Sequence, residues 1–154
     1  MNKTVWTIVL SCLLLTSCGA FTEHRVGRFD DRLSACPAWP RCVSSFEDSE
    51  RHGIAPLTLT AEPDRAWAAA RLAVARMPRT RIVDEQADYL RAEVTSPWHF
   101  YTDDLELLLR ADQQEIAIRS TGRIGYYDFE VNRDRVEALR TALCQASMVA
   151  CAND

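Results

Sequence analysis

Three stretches of two-residue alternation constrain most strongly what this chain can build. In residues 89–96, Leu90, Ala92 and Val94 alternate with Tyr89, Arg91, Glu93 and Thr95. In residues 104–110, Leu105, Leu107 and Leu109 alternate with Asp104, Glu106, Leu108 and Arg110. In residues 115–121, Ile116 and Ile118 alternate with Ala117, Arg119 and Thr121. Successive side chains of a strand point to opposite faces, so each stretch offers one apolar and one polar face. Gln86-Ala87-Asp88, Pro97 and Asp112-Gln113-Gln114 supply the turns between them. Residues 81–85 read as a further strand, and Pro56-Leu57-Thr58-Leu59-Thr60 as a short one.

Two helices complete the pattern. Pro63 suits a first helical turn and Asp64 complements its positive end, opening a helix over residues 63–76. Trp67, Ala70, Val74 and Met77 recur at helical spacing as its buried stripe, and Pro78 stops it. Asn132 reads as an N-cap, with a helix running from Arg133 to about Ala146 that turns Val136, Leu139 and Leu143 inward. The expected order is β-α-β-β-β-β-α. It predicts an α+β fold, a curved antiparallel sheet of four to five strands with both helices on its apolar face.

The first residues read as an address rather than as structure. Lys3 precedes an apolar run over residues 5–15, too short to span a bilayer, which needs about 20 residues, but suited to a signal peptide. Leu15-Thr16-Ser17-Cys18 resembles a bacterial lipobox. Residues 1–17 are therefore expected to be removed and Cys18 to carry acyl chains, each CH₂ adding about 0.8 kcal/mol on insertion. The expected localisation is the periplasmic side of the envelope, with Gly19 favouring the outer membrane in a host with two membranes. Residues 18–35 read as a tether, spanning roughly 20–25 Å as a coil. Phe21, Val26, Phe29 and Leu33 are candidates for docking it onto the domain of residues 36–154.

Export places the remaining thiols where disulfides persist. Cys36 and Cys42 flank a Pro-rich turn and read as one bridge. Cys144 and Cys151 read as the other. That pairing demands a break in the second helix, because the two would otherwise lie about 10 Å apart. A bridge from Cys144 or Cys151 back to the first pair is the alternative. A zinc site is the weaker reading of Cys36 and Cys42, since His24, His52 and His99 are scattered. No metal and no cofactor are expected.

Two motifs stand out together: CPAWPRCVSS at 36–45, and RSTGRIGYYDFEVNRDRV at 119–136, with Asp103-Asp104 between them. On these the chain resembles the bacterial domain-of-unknown-function 1499 family over roughly residues 36–145. The resemblance implies a small envelope or membrane-associated domain without an established activity. Arg41 and Thr121 depart from the family pattern without removing a unique chemical group, and Cys144 and Cys151 lie outside it.

The second motif gathers Asp103, Asp104, Arg119, Ser120, Arg123, Asp128, Asn132, Arg133 and Arg135. The stronger reading is structural, with Arg119 paired to Asp104, Arg123 paired to Asp128, and Asn132 capping the helix. The sharper reading is an anion site made by Arg123 and Arg133 at the helix N-terminus. A catalytic reading is the weakest. Ser120 has no histidine near it in sequence, and the consecutive Asp103 and Asp104 point opposite ways on a strand. Residues 97–101 form an aromatic cluster, expected to bury at the sheet end rather than to meet lipid or a partner.

The formal charge is −4, and loss of Lys3 with the leader makes the mature chain about −5. Such a chain lacks the basic field of a nucleic-acid binder and is not drawn to anionic lipid by charge alone. The functional expectation is a non-catalytic envelope lipoprotein that binds a protein, lipid or wall component. The alternative is an enzyme or carrier acting on an anionic or lipid ligand through the Arg119/Arg123 face.

Overall fold

The computed structural model describes residues 25–97 and 100–151. Residues 1–17, Cys18, Phe21, His24, Trp98 and His99 lie outside that range. In chain order the elements are β1 (Arg28–Phe29), β2 (Arg32–Leu33), β3 (Cys42–Ser44), β4 (Leu57–Thr58), α1 (Pro63–Arg76), β5 (Thr80–Glu85), β6 (Tyr89–Thr95), β7 (Thr102–Arg110), β8 (Glu115–Gly122) and α2 (Val131–Gln145).

The period-two stretches form the expected antiparallel meander, β5-β6-β7-β8, with Leu90 opposite Leu107 and Leu107 opposite Ile118. Two short strands share the outer edge of β8. β3 pairs with its C-terminal half, Val43 opposite Ser120, and β4 with its start, Leu57 opposite Ile116. The sheet thus has six strands rather than four or five. The extra one, β3, starts at Cys42, where the disulfide segment ends, and is buried along its length.

The α+β expectation holds. α1 and α2 pack on one face, where Leu57, Trp67, Val74, Leu90, Leu105, Ile116, Ile118, Val136 and Leu143 form the main core. Each large aliphatic side chain removed from water there contributes about 1.5–3 kcal/mol. α1 begins at Pro63 and ends at Arg76, before Pro78, as its sequence predicts.

The opposite face is not open to water along its length, as simple alternation suggests. Residues 25–35 lie across it. β1 and β2 form a small hairpin, and Leu33 joins Tyr89, Leu108 and Ala117 in a second apolar cluster. Val26 is half-buried, whereas Phe29 points outward, 58% exposed. The aromatic cluster also departs from expectation: Phe100 and Tyr101 are exposed rather than buried at the sheet end.

Both local disulfides are present, Cys36–Cys42 and Cys144–Cys151, with Cα separations of 5.7 and 5.1 Å. α2 stops at Gln145, Ser147 takes a left-handed backbone (φ 57°), and the chain folds back. Thr60 N–H donates to Met148 O at 3.0 Å, Ala150 N–H donates to Thr58 O at 2.8 Å, and Met148 and Val149 enter the core.

Candidate functional site

Strand register decides the partners of the polar motif. Arg119 on β8 faces Glu106 on β7 directly. Its Nη1 donates to Glu106 Oε2 at 2.5 Å, not to Asp104 as the sequence suggests. Two carbonyls of the N-terminal segment, Arg25 O and Ala35 O, accept from Arg119 Nη2 at 3.2 and 3.4 Å. Glu106 also accepts from Tyr89 Oη at 2.8 Å and from Gly27 N at 2.6 Å. Burial first, and then the neighbouring Glu106 carboxylate, push the Tyr89 phenol well above its ordinary pKa.

Asp104 is reached from two sides. Arg91 Nη1 donates to it at 3.1 Å, and Arg123 donates from Nε at 2.7 Å and Nη2 at 2.9 Å. Arg123 Nη2 also donates to Glu93 at 2.7 Å, and Arg81 pairs with the other Glu93 oxygen at 2.7 Å. The Arg123 hydrogen bond holds the Glu93 carboxyl below its ordinary range, and the bond to Asp104 drives the Arg123 guanidinium upward. Arg123 therefore pairs with Asp104 and Glu93 rather than with Asp128. The sequence does not show this pairing because Arg123 follows Gly122 and turns back over the same face.

Asp103 points the other way, as consecutive strand residues must. Its carboxylate accepts from Arg135 Nη2 of α2 at 2.6 Å. Burial pushes the Asp103 carboxyl up, with Arg135 pulling against it. Arg135 Nη1 reaches Ser120 Oγ at 2.8 Å and Asn132 Oδ1 at 2.5 Å, while Ser120 Oγ donates to Asn132 Oδ1 at 2.6 Å. The hydroxyl is engaged as donor and acceptor within a structural network.

Asn132 is not the N-cap. It sits inside the first turn of α2, wholly buried, and donates from Nδ2 to Asp128 at 2.7 Å and to Arg41 O at 3.2 Å. Asp128 performs the capping from outside, accepting from Glu130 N at 3.2 Å and Asn132 N at 3.0 Å. Arg133 does not combine with Arg123. It donates to Gly53 O at 3.0 Å and to the carbonyls of Glu50 and Arg51 at 3.3 Å, tying α2 to the loop after β3. The two cations weighed as an alternative anion site at this helix end are thus engaged by internal acceptors, in line with the structural reading.

What the alternation and motifs do not reveal lies at the end of the sheet where β6 turns into β7 and β8 leaves for α2. All but Phe29 and Leu72 of the large apolar side chains exposed among the described residues sit here, on three connections and the first residue of α2. Trp39 packs edge-on against Tyr126 with ring centroids 5.1 Å apart, and Tyr127 against Phe129 at 5.2 Å. A pocket of about 280 Å³ opens among Tyr101, Ile124, Tyr127, Phe129 and Val131, with Asp103 and Asp128 on its wall. The tandem aromatics of 126–129 were the available signal, masked by the charges around them. Among the described residues no group of three His, Cys, Asp or Glu side chains could hold a metal ion. No helix among them is long and apolar enough to cross a membrane.

The family model for the protein of unknown function DUF1499 matches residues 32–143. The chain belongs to the DUF1499 family. The match in this DUF1499 protein takes in β2 through most of α2, and with them Glu93, Asp103, Asp104, Glu106, Arg119, Arg123 and Arg135, but not Arg25 or Gly27. No match is found among curated proteins or solved structures.

Proposed function

We propose that this DUF1499 protein is an exported lipoprotein, held on the periplasmic side of the cell envelope by acyl chains on Cys18. Its folded domain is a non-catalytic binding module for a lipid, protein or wall component. The leader pattern of residues 1–18 supports the anchor, and two intact disulfides suit an oxidising compartment.

One observation carries the binding-module reading. Arg119 and Arg123, the cations best placed to clamp an anionic substrate, are engaged by Glu106, Asp104 and Glu93, while apolar surface is concentrated at the sheet end. Catalysis on an anion needs convergent groups beside a cleft. An Arg119 side chain only 2% exposed offers no such surface. Exposed apolar patches instead mark contact sites.

Labelling cells with radioactive palmitate tests the anchor. Label is expected on the native chain, which fractionates with membranes, and is expected to be lost with Cys18→Ala. An unlabelled chain that retains residues 1–17 in the cytosol would refute the proposal. Pull-down with the native lipidated chain tests the module: enrichment of an envelope component supports it, and turnover of an anionic substrate sinks it.

A further inference from the structure

We propose that the aromatic end of the sheet docks onto the bilayer that holds the chain's own acyl anchor. The inference rests on the lipoprotein reading and gives its binding surface a partner.

The course of the N-terminal segment supplies the orientation. At its turn, Asp31 pairs with Arg110 and Arg28 with Asp88, both at the sheet end opposite the aromatics. Reading backward, Gly27 lies at Glu106 and Arg25 at Arg119. From the turn at the Arg110 end to Gly27 the chain runs toward the aromatic end, and Arg25 stands level with the opposed Glu106–Arg119 pair. Arg119 to Gly122 spans about 10 Å of strand. Six residues lie between Arg25 and Cys18, and the seven steps reach about 24 Å at full extension. The acylated residue can reach the plane of the exposed aromatics, and the tether is too short to carry the domain far from the membrane.

The side chains there suit a bilayer interface. Phe129, Phe100 and Ile124 are 81%, 75% and 70% exposed, with Trp39 and Tyr126 beside them. Trp and Tyr favour the headgroup layer, where the ring meets lipid and the polar atom stays wet. The mature chain is acidic, so attraction to anionic lipid does not hold it. Contact comes from apolar insertion and is insensitive to salt.

The test uses the mature lipidated chain in phosphatidylcholine vesicles brominated at defined acyl depths. The chain carries Trp98→Phe, so Trp39 and core Trp67 report, and a Trp39→Phe companion isolates Trp39. The expected result is a twofold or greater loss of Trp39 fluorescence with shallow bromines, unchanged in high salt. Phe129→Ser with Ile124→Ser is expected to abolish most of that loss while the protein still floats with vesicles. Floating protein whose Trp39 is untouched by bromolipid overturns the docking and leaves the anchor standing. Trp39 shielded from both bromolipid and aqueous acrylamide places a protein or a second copy on this end, and overturns it too. Protein that does not float, and whose Cys18 carries no acyl mass, overturns the lipoprotein reading beneath it.

Discussion

Arg119 Nη1 lies 2.5 Å from Glu106 Oε2, and both side chains are almost wholly withdrawn from water beneath the N-terminal segment. A pair so placed repays its desolvation only through its hydrogen bonds, and removing one partner strands the other. Glu106→Ala is expected to lower the unfolding free energy by about 3–5 kcal/mol. The double variant Arg119→Met, Glu106→Leu is expected to cost less than either single change. Urea denaturation of the parent, Arg119→Met, Glu106→Leu and the double variant measures the cycle, with Glu106→Ala alongside. A loss below about 1 kcal/mol for Glu106→Ala, the range of an exposed pair, would contradict the burial.

Gly53 shows how tightly the loop after β3 is drawn in. A Cβ built there would lie 2.8 Å from Glu47 O and 2.8 Å from Ser49 O, both backbone atoms. Gly53→Ala is expected to destabilise by about 1–3 kcal/mol, the usual cost of forced overpacking. Thermal unfolding reads it out. An unchanged melting temperature would mean that the loop can move aside.

The Cys144–Cys151 bridge holds the tail whose Met148 and Val149 enter the core. Replacing both cysteines by serine is expected to cost about 2 kcal/mol from loop closure. It should also speed amide exchange at Ala150 and Thr60, which bond across the join. Exchange at Leu107, deep in the meander, should change far less at local-opening conditions. Equal acceleration everywhere would show that the tail is not a separate cooperative unit.

Two carboxylates should titrate on opposite sides of the ordinary range. The hydrogen bond from Arg123 lowers Glu93, and burial raises Asp103. Stability from Glu93 is complete above its unfolded pKa of about 4.3 and is lost as pH falls through its lower folded value. Asp103 has the opposite sign. The native state holds that proton more tightly, so its contribution grows as pH falls from the raised folded value toward about 3.9. Carbon-13 NMR titration of the two side chains separates them. Coincident midpoints would remove both assignments.

Sequence carried the meander, both helices and both bridges because each rests on a local signal. Leu90, Leu107 and Ile118 share one face by parity alone. Parity did not choose partners for Arg119, since Asp104 and Glu106 lie on the same face and only register separates them. The hairpin was illegible because Arg28–Phe29 and Arg32–Leu33 are too short to show a period. Asn132 resembled a cap by residue type, but Glu130 takes the cap position with φ 64° and Asn132 becomes the second helical residue. Arg140, buried and donating to Pro56 O and Ala55 O, is likewise set by tertiary contacts between segments far apart in sequence.

The cover over Arg119 and Glu106 precedes in sequence the strands that it seals. Gly27 waits 79 positions for Glu106, and Arg25 waits 94 for Arg119. In a chain delivered N-terminus first, Leu33 lacks the full apolar cluster of Tyr89, Leu108 and Ala117 until β8 has followed. The meander must assemble before its cover can close, so a chain cut short before β8 leaves the small hairpin with half of its seat missing.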